Sequence, residues 1–479
     1  MYLDFKVKIP DSTSGITRKT IKGVTYIYYT YNRSYDSGKK FSVPKNTSIG
    51  KCAEDDPDMM YPNTNYIRFF PETELPEEKE GTCRSGCLRI GTWLILRRII
   101  SGYHLDEILG RLIGKESGLF LDIAAYTIVA ENNAGQYYPD YAYNHPLFTD
   151  GMKVYSDSKV SSFINSITRD QSIAFQNEWN ESRDHREKIY ISYDSANKNC
   201  QAGDIDFVEY GHPKDNAGAP VLNYSIAYDR SNSVPLFYEE YPGSIVDISQ
   251  LQLMLEKANG YGYKRIGFIL DRGYFSRENI RYMDSCGYEF VIMMKGMKDL
   301  VKGLVLQVKG TFEESREHSI RDYKVSGITV RQRLYPSEKM TAEDALDLYK
   351  SRDASEKLFR GDKSYLGNRS FRIQSNESLH AKIFIEFVAL IIRNYFHMCL
   401  KEQLQKNSRK QNYMTVPAAI RELEKIEIIR QPDKNYRLDH AVTATQKEIL
   451  KAFGMTASNI REQAIGINND LQHISRKEA

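Results

Sequence analysis

The stretch from Lys188 to Lys295 constrains the chain most. Three runs rich in β-branched and aromatic residues, KIYISYD, VLNYSIAYD and VPLFYEEYPG, come first, and the turn residues DRSNS make the second and third a hairpin. ISQLQLMLEKANGYG then takes up a helical period. RIGFILD is a buried-type strand, RGYFSRENIRYMDSCGY a second helical stretch, and EFVIMMK a last strand. The order is β-β-β-α-β-α-β.

That order is the core of the ribonuclease-H-like fold, a mixed sheet whose first strand is central and whose fourth lies beside it. The first strand is expected to end at Asp194 and the fourth at Asp271. Adjacency of the two strand ends would bring both carboxylates within reach of the same metal ions.

A third acid lies in YKSRDASEKLFRGDK. Residues 343–363 contain no Pro and are rich in Ala, Leu, Lys, Arg and Glu, which predicts one continuous helix. At 100° per residue Tyr349, Arg352, Glu356 and Lys363 fall at about 0°, 300°, 340° and 320°, a single narrow arc. Arg352 with Glu356, and Glu356 with Arg360, are also ordinary i,i+4 pairs of a solvated helix. Lys363 and Tyr349 each lie about 10 Å along the axis from Glu356. The arrangement therefore suits Glu356 as a metal ligand and Tyr349, Arg352, Arg360 and Lys363 as contacts to successive phosphates. Gly361 weakens the helix just before Lys363.

Phosphodiester cleavage by water or by a sugar hydroxyl is served by two metal ions, one at the nucleophile and one at the leaving oxygen. Mg²⁺ and Mn²⁺ take oxygen ligands, so the chemistry calls for carboxylates rather than His or Cys. Asp194, Asp271 and Glu356 are the candidate catalytic and metal-binding residues, with two Mg²⁺ ions, or Mn²⁺ in their place.

The 479 residues exceed what one core organises, and 41% hydrophobic content is ample for burial. A net charge of +3 hides segregation: residues 1–51 hold ten Lys and Arg against three Asp, whereas 52–80 hold nine acidic against two basic residues. The expected division is a β-rich basic module of three strands at 1–51, an acidic linker at 52–87 and a helical DNA-binding or dimerisation domain at 88–185. The core follows in two parts, 186–298 and 343–407, separated by a β-containing insertion at 299–342. A basic helical region, 408–479, closes the chain, with TATQKEILKAFG as its last helix, ending at Gly454. Six scattered Cys and no apolar leader point to a cytoplasmic protein with reduced thiols. A zinc site at Cys52, Cys83 and Cys87 lacks CxxC pairs and a His partner. The apolar run around Phe384–Ile392 is interrupted by Glu386 and is too short to span a membrane, so no membrane partner is expected.

The spacing Tyr349-x2-Arg352-x3-Glu356-x6-Lys363 resembles the Y-R-E-K signature of DDE transposases of the insertion-sequence-four superfamily. ISYDSANKN and ILDRGYFSRENI resemble that family's first and second aspartate motifs. The resemblance implies cut-and-paste movement of an insertion sequence, binding of double-stranded DNA at terminal inverted repeats and at the target, and a homodimer in the synaptic complex. It also implies that Asp194, Asp271 and Glu356 form the catalytic triad. Ser195 departs from the family's usual aliphatic residue or Gly. Two other readings compete: a transposase-derived DNA-binding protein that no longer transposes, and another ribonuclease-H-like metal nuclease.

Overall fold

The computed structural model describes residues 2, 6–10, 15–21, 23–38, 40–53, 56–70, 84–183, 187–200, 205–211, 220–245, 247–263, 265–293, 296, 298, 299, 302, 303, 306, 342–353, 358, 366, 370, 371, 373, 375–406, 414–431 and 435–478. The chain divides into two compact units, Met1–Thr82 and Cys83–Ala479.

The first unit contains β1 (Val7–Lys8), β2 (Ile16–Ile21), β3 (Val24–Asp36), β4 (Phe41–Cys52), β5 (Met59–Pro62) and α1 (Thr64–Phe69). The strands form one antiparallel sheet in the order β1-β5-β4-β3-β2. One face carries Val7, Ile9, Ile27, Ile49 and Met60, packed with Tyr66 of α1 into a small core. Asn63 caps that helix by accepting from the backbone N–H groups of Asn65 and Tyr66. The expected three-stranded module is thus five-stranded, and β5 and α1 lie within the stretch expected to be linker. The acidic count of 52–80 masks Met60 and Tyr66, which supply the apolar contacts.

The second unit begins with β6 (Cys87–Arg89) and the helices α2 (Gly91–Gly102), α3 (Leu105–Ile113), α4 (Ser117–Ala130), α5 (Tyr138–Asn144), α6 (Asp157–Ser166) and α7 (Arg169–Glu181). Next come β7 (Ile189–Cys200), β8 (Val221–Asp229), β9 (Val234–Pro242), α8 (Asp247–Gly260), β10 (Ile266–Leu270), α9 (Arg277–Ser285) and β11 (Glu289–Ile292). α10 (Ala342–Lys350), β12 (Ser370–Phe371), α11 (Asn376–Lys406), α12 (Val416–Leu423), β13 (Glu427–Arg430), β14 (Tyr436–Leu438), α13 (Ala444–Ala452) and α14 (Ala457–Glu478) complete it.

Its main sheet has the order β11-β10-β7-β8-β9, with β12 paired to the far end of β7. β7, β8 and β9 are antiparallel, while β10 is parallel to both β7 and β11. The first strand is central and the fourth lies beside it, as the sequence order implies. β7, however, runs on to Cys200, so Asp194 is in mid-strand rather than at its end. The residues after it, Ser195 to Asn199, remain paired with β8, and two of the polar ones find side-chain partners there or in α11. Asn197 donates to Asn223, and the buried Lys198 pairs with Glu386.

The expected separate helical domain merges with this sheet. Phe120 of α4 and Phe175 of α7 pack on Phe384 of α11, with ring centroids 4.7 and 5.1 Å apart. The Trp179 indole N–H donates to the Pro235 carbonyl of β9 at 2.9 Å. Among the described residues α11 is the one helix long and apolar enough to cross a membrane, and 78% of its apolar window is buried inside the protein. Its burial against α4, α6, α7 and β9 makes it the core helix the sequence suggests. α13 stops before Gly454, which sits at φ 63°, as its position predicts. It is not the last helix, since α14 follows. β13 pairs with both β14 and β6, so the end of the chain closes on the first strand of the unit.

One contact sets the register of β7 against β10. Gly267 pairs with Tyr190, and a Cβ on Gly267 would stand 2.4 Å from the Tyr190 ring. Across the bare glycine the Tyr190 hydroxyl donates to Glu289 of β11 at 3.3 Å, and Lys188 pairs with the same carboxylate. A side chain on Gly267 is overpacking of the kind that costs about 1–3 kcal/mol. Gly267→Ala is expected to lower the denaturant midpoint accordingly, and Tyr190→Ala in the same chain to restore most of it. Equal midpoints for wild type and Gly267→Ala would show that the ring yields freely.

Candidate active site

Asp194 and Asp271 meet through strand register. β10 pairs with β7 from Ile266 beside Ile189 to Leu270 beside Tyr193. Asp271, at φ −70° and ψ 158°, is still extended, so the next step of the ladder sets it beside Asp194. Neighbouring strands run about 4.8 Å apart, and paired residues project to the same face. The 3₁₀ turn Arg272–Tyr274 then carries the chain away, with the Tyr274 N–H donating to the Asp271 carbonyl at 3.0 Å. The turn leaves the Asp271 side chain 36% exposed. Asp194 is half-buried, and its Oδ1 accepts from the Ser195 N–H at 2.8 Å.

Arg352 reaches the same place from α10, which packs on β10 and β11. Its Nη2 lies 3.9 Å from Asp271 Oδ1, and its guanidinium sits 5.7 Å from the centroid of the Tyr349 ring. The structure therefore gathers Asp271, Arg352 and Tyr349 by direct contact and Asp194 by strand pairing.

Glu356, Arg360 and Lys363 lie outside the described residues, as does most of the expected insertion. The expected unbroken helix from 343 to 363 is interrupted earlier. α10 closes at Lys350, and the Arg352 N–H turns back to the Tyr349 carbonyl at 3.1 Å. The Ser351 hydroxyl donates to the Leu348 carbonyl at 2.5 Å, a local bond that competes with helix propagation. Arg352 thus stands in a turn, and its approach to Asp271 owes nothing to a continuous helical arc.

Two carboxylates side by side repel unless cations accompany them. Arg352 supplies one positive charge. The donor set is oxygen only, which suits Mg²⁺ or Mn²⁺ and not a thiolate-seeking metal. Among the described residues no three His, Cys, Asp or Glu side chains form a metal-holding group; the ladder supplies two acids. Cys52, Cys83 and Cys87, whose spacing already argues against zinc, are not needed for such a site. Burial, with the nearby Glu427 charge second, pushes the Cys87 thiol up to about 11, so it stays protonated, and Cys83 lies outside the described residues.

The buried Lys198–Glu386 pair is not among the sequence expectations. Lys198 is four residues beyond Asp194 on the same face of β7, and its ammonium also lies 4.6 Å from the centroid of the Tyr224 ring. It ties α11 to the face of the sheet that carries the aspartates. The signal is present in Glu386 itself, since a carboxylate inside an apolar core helix requires a buried cationic partner.

Residues 196–392 match the family model described as transposase DDE domain, a match that includes Asp271 and positions 349–363 and begins two residues after Asp194. That stretch of the chain is similar to a transposase DDE domain. None of the curated proteins compared with the chain matches it. Among solved structures, the Mos1 transposase paired-end complex with left transposon end is similar at 15% identity and a TM-score of 0.18, covering 47% of this chain and 74% of that one. The Drosophila P element transposase strand transfer complex is similar at 10% identity and a TM-score of 0.20, covering 62% and 82%. Both likenesses are too loose in geometry to carry weight.

If the ladder holds a hard divalent ion, Asp194→Asn and Asp271→Asn should each weaken Mn²⁺ binding to the full chain by about tenfold or more, read by calorimetry. Ser195→Ala should leave it unchanged. Wild-type affinity in either aspartate variant would remove that residue from the site.

Proposed function

We propose that this chain is a DNA transposase of the insertion-sequence-four superfamily, built on a ribonuclease-H-like core with a β-containing insertion. The observation that carries the reading is Asp271 set beside Asp194 by the β7–β10 register. The transposase DDE domain match over residues 196–392 supports it.

In this reading Asp194, Asp271 and Glu356 hold two Mg²⁺ or Mn²⁺ ions, which, when bound, activate the attacking oxygen and stabilise the leaving one. The chain's own residues supply the rest. Arg352, already at the carboxylates, has the planar fork that suits a phosphate next to the scissile bond. Tyr349, beneath it, holds the guanidinium in place. Arg360 and Lys363 contact phosphates further along the strand.

The reaction is two phosphoryl transfers. In the first, a water oxygen bonds to phosphorus at the end of the element and the P–O3′ bond breaks, freeing a 3′-hydroxyl. In the second, that hydroxyl oxygen bonds to a target phosphorus while a target P–O3′ bond breaks; its proton leaves to solvent and the freed target O3′ takes one up. Terminal inverted repeats are the cleaved substrate, and a homodimer holds the two ends together.

The test is cleavage of a labelled duplex carrying the inverted repeats that flank the gene. Wild type should cut with Mg²⁺ and stop with chelator. Asp194→Asn, Asp271→Asn and Glu356→Ala should each slow cutting by about a thousandfold or more, the rate equivalent of several kcal/mol, while still binding the duplex. Binding without cutting by the wild-type chain would make it a DNA-binding relative and end the enzymatic reading.

A further inference from the structure

The Met1–Thr82 sheet has a second face, opposite its small core, and strand register writes a pattern on it. Lys19 of β2 pairs with Tyr26 of β3, Tyr26 with Lys51 of β4, and Lys51 with Tyr61 of β5. Val7 of β1 pairs with Met60, so one step back Lys6 stands beside Tyr61. A row Lys19, Tyr26, Lys51, Tyr61, Lys6 therefore crosses all five strands, with cation and aromatic ring alternating. The adjoining row, Thr17, Tyr28 and Ser48, is uncharged. Among the described residues these two rows hold three lysines and no carboxylate.

We propose that this face binds the phosphate backbone of duplex DNA, with Lys19, Lys51 and Lys6 meeting phosphates and Tyr26, Tyr28 and Tyr61 forming the platform beneath them. The inference deepens the proposed function by naming a DNA-holding surface in the other unit, and it takes the identity of its ligand from that reading.

Three observations favour this occupant. The first is local charge complementarity, since the two rows carry three lysines and no carboxylate among the described residues, although Met1–Thr82 as a whole balances twelve Lys and Arg with twelve Asp and Glu. The second is the placement of the ammonium groups over ring faces. Lys19 Nζ lies 5.6 Å from the Tyr28 centroid, while Lys51 and Lys6 lie 5.7 and 5.8 Å from that of Tyr61. Rings whose faces are taken by cations are closed to stacking of unpaired bases, which favours a duplex over a single strand. The third is span. Cations on every second strand, about 9.5 Å apart, extend over about 19 Å, a length along which one strand of a duplex presents about five phosphates. A lysine steadied on a ring also has less freedom to give up on meeting its phosphate than one loose in water.

The experiment is fluorescence anisotropy of a labelled duplex of mixed sequence with the full chain, across roughly 50–200 mM salt. Lys19→Gln with Lys51→Gln should reduce the slope of log affinity against log salt by about 1.8, or 0.9 for each phosphate left without its lysine. Lys19→Arg with Lys51→Arg should keep the wild-type slope. Should the double Gln variant lose its far-UV circular dichroism, Lys19→Gln alone, on the edge strand, should lower the slope by about 0.9. An unchanged slope in a folded Gln variant overturns the proposal, as does a single strand of equal length displacing the duplex at lower concentration. A wild-type chain that cuts element ends while the Gln variant keeps its slope defeats this surface alone. One that shows the lysine-dependent slope but cuts nothing defeats the transposase reading and leaves the surface standing.

Discussion

The parallel pairing of β7 with β10 is the constraint on which the site depends. A parallel ladder fixes register residue by residue, and a slip of one position would turn an aspartate to the opposite face. Here the register is held by a space-filling contact rather than by the ladder alone. The Tyr190 ring lies where only a glycine can sit, and its hydroxyl reaches the Glu289 carboxylate on the next strand. Four residues further along β7, the same register delivers Asp271 to Asp194. A packing detail at one end of the strands is thus converted into electrostatics at the other.

The surroundings of the carboxylates follow from that placement. α10 packs on β10 and β11 and ends in a turn, which presents the Arg352 guanidinium to Asp271 with Tyr349 against it. On the aspartate face of β7, Lys198 and Glu386 fasten α11 to the sheet in a buried ion pair. Such a pair is weak evidence for net stability, but removing either partner would strand a charge in the core. The helices preceding the sheet share its core through Phe120, Phe175 and Trp179, so the site rests on one large body rather than on a hinge between two.

Much of this is legible in the sequence, and the exceptions have physical reasons. The order of strands and helices from 189 to 292 can be read because each element keeps a clean period, and the central position of the first strand follows from that order. The length of β7 cannot, because Asn197, Lys198 and Asn199 resemble a turn until their partners on β8 and α11 are known. β5 and α1 are hidden by the acidic residues around Met60 and Tyr66, whose burial depends on β4 and β1. The end of α10 at Lys350, where the Arg352 N–H turns back to the Tyr349 carbonyl, is too local a feature to outweigh good helix formers on either side. Asp271 and Arg352 both stand out in the sequence, but their contact does not, since it joins segments about eighty residues apart through a turn rather than an arc.

The proposal rests on convergence, in which Asp194, Asp271 and Glu356 would share one pair of divalent ions. Replacing Mg²⁺ by Fe²⁺ in the full chain, with ascorbate and peroxide, generates hydroxyl radicals at the bound metal, and sequencing the fragments locates the backbone near it. Convergence predicts three clusters of cuts, around 194, 271 and 356, all suppressed together by excess Mg²⁺. Cuts confined to one of these segments, or gathered elsewhere in the chain, would contradict it.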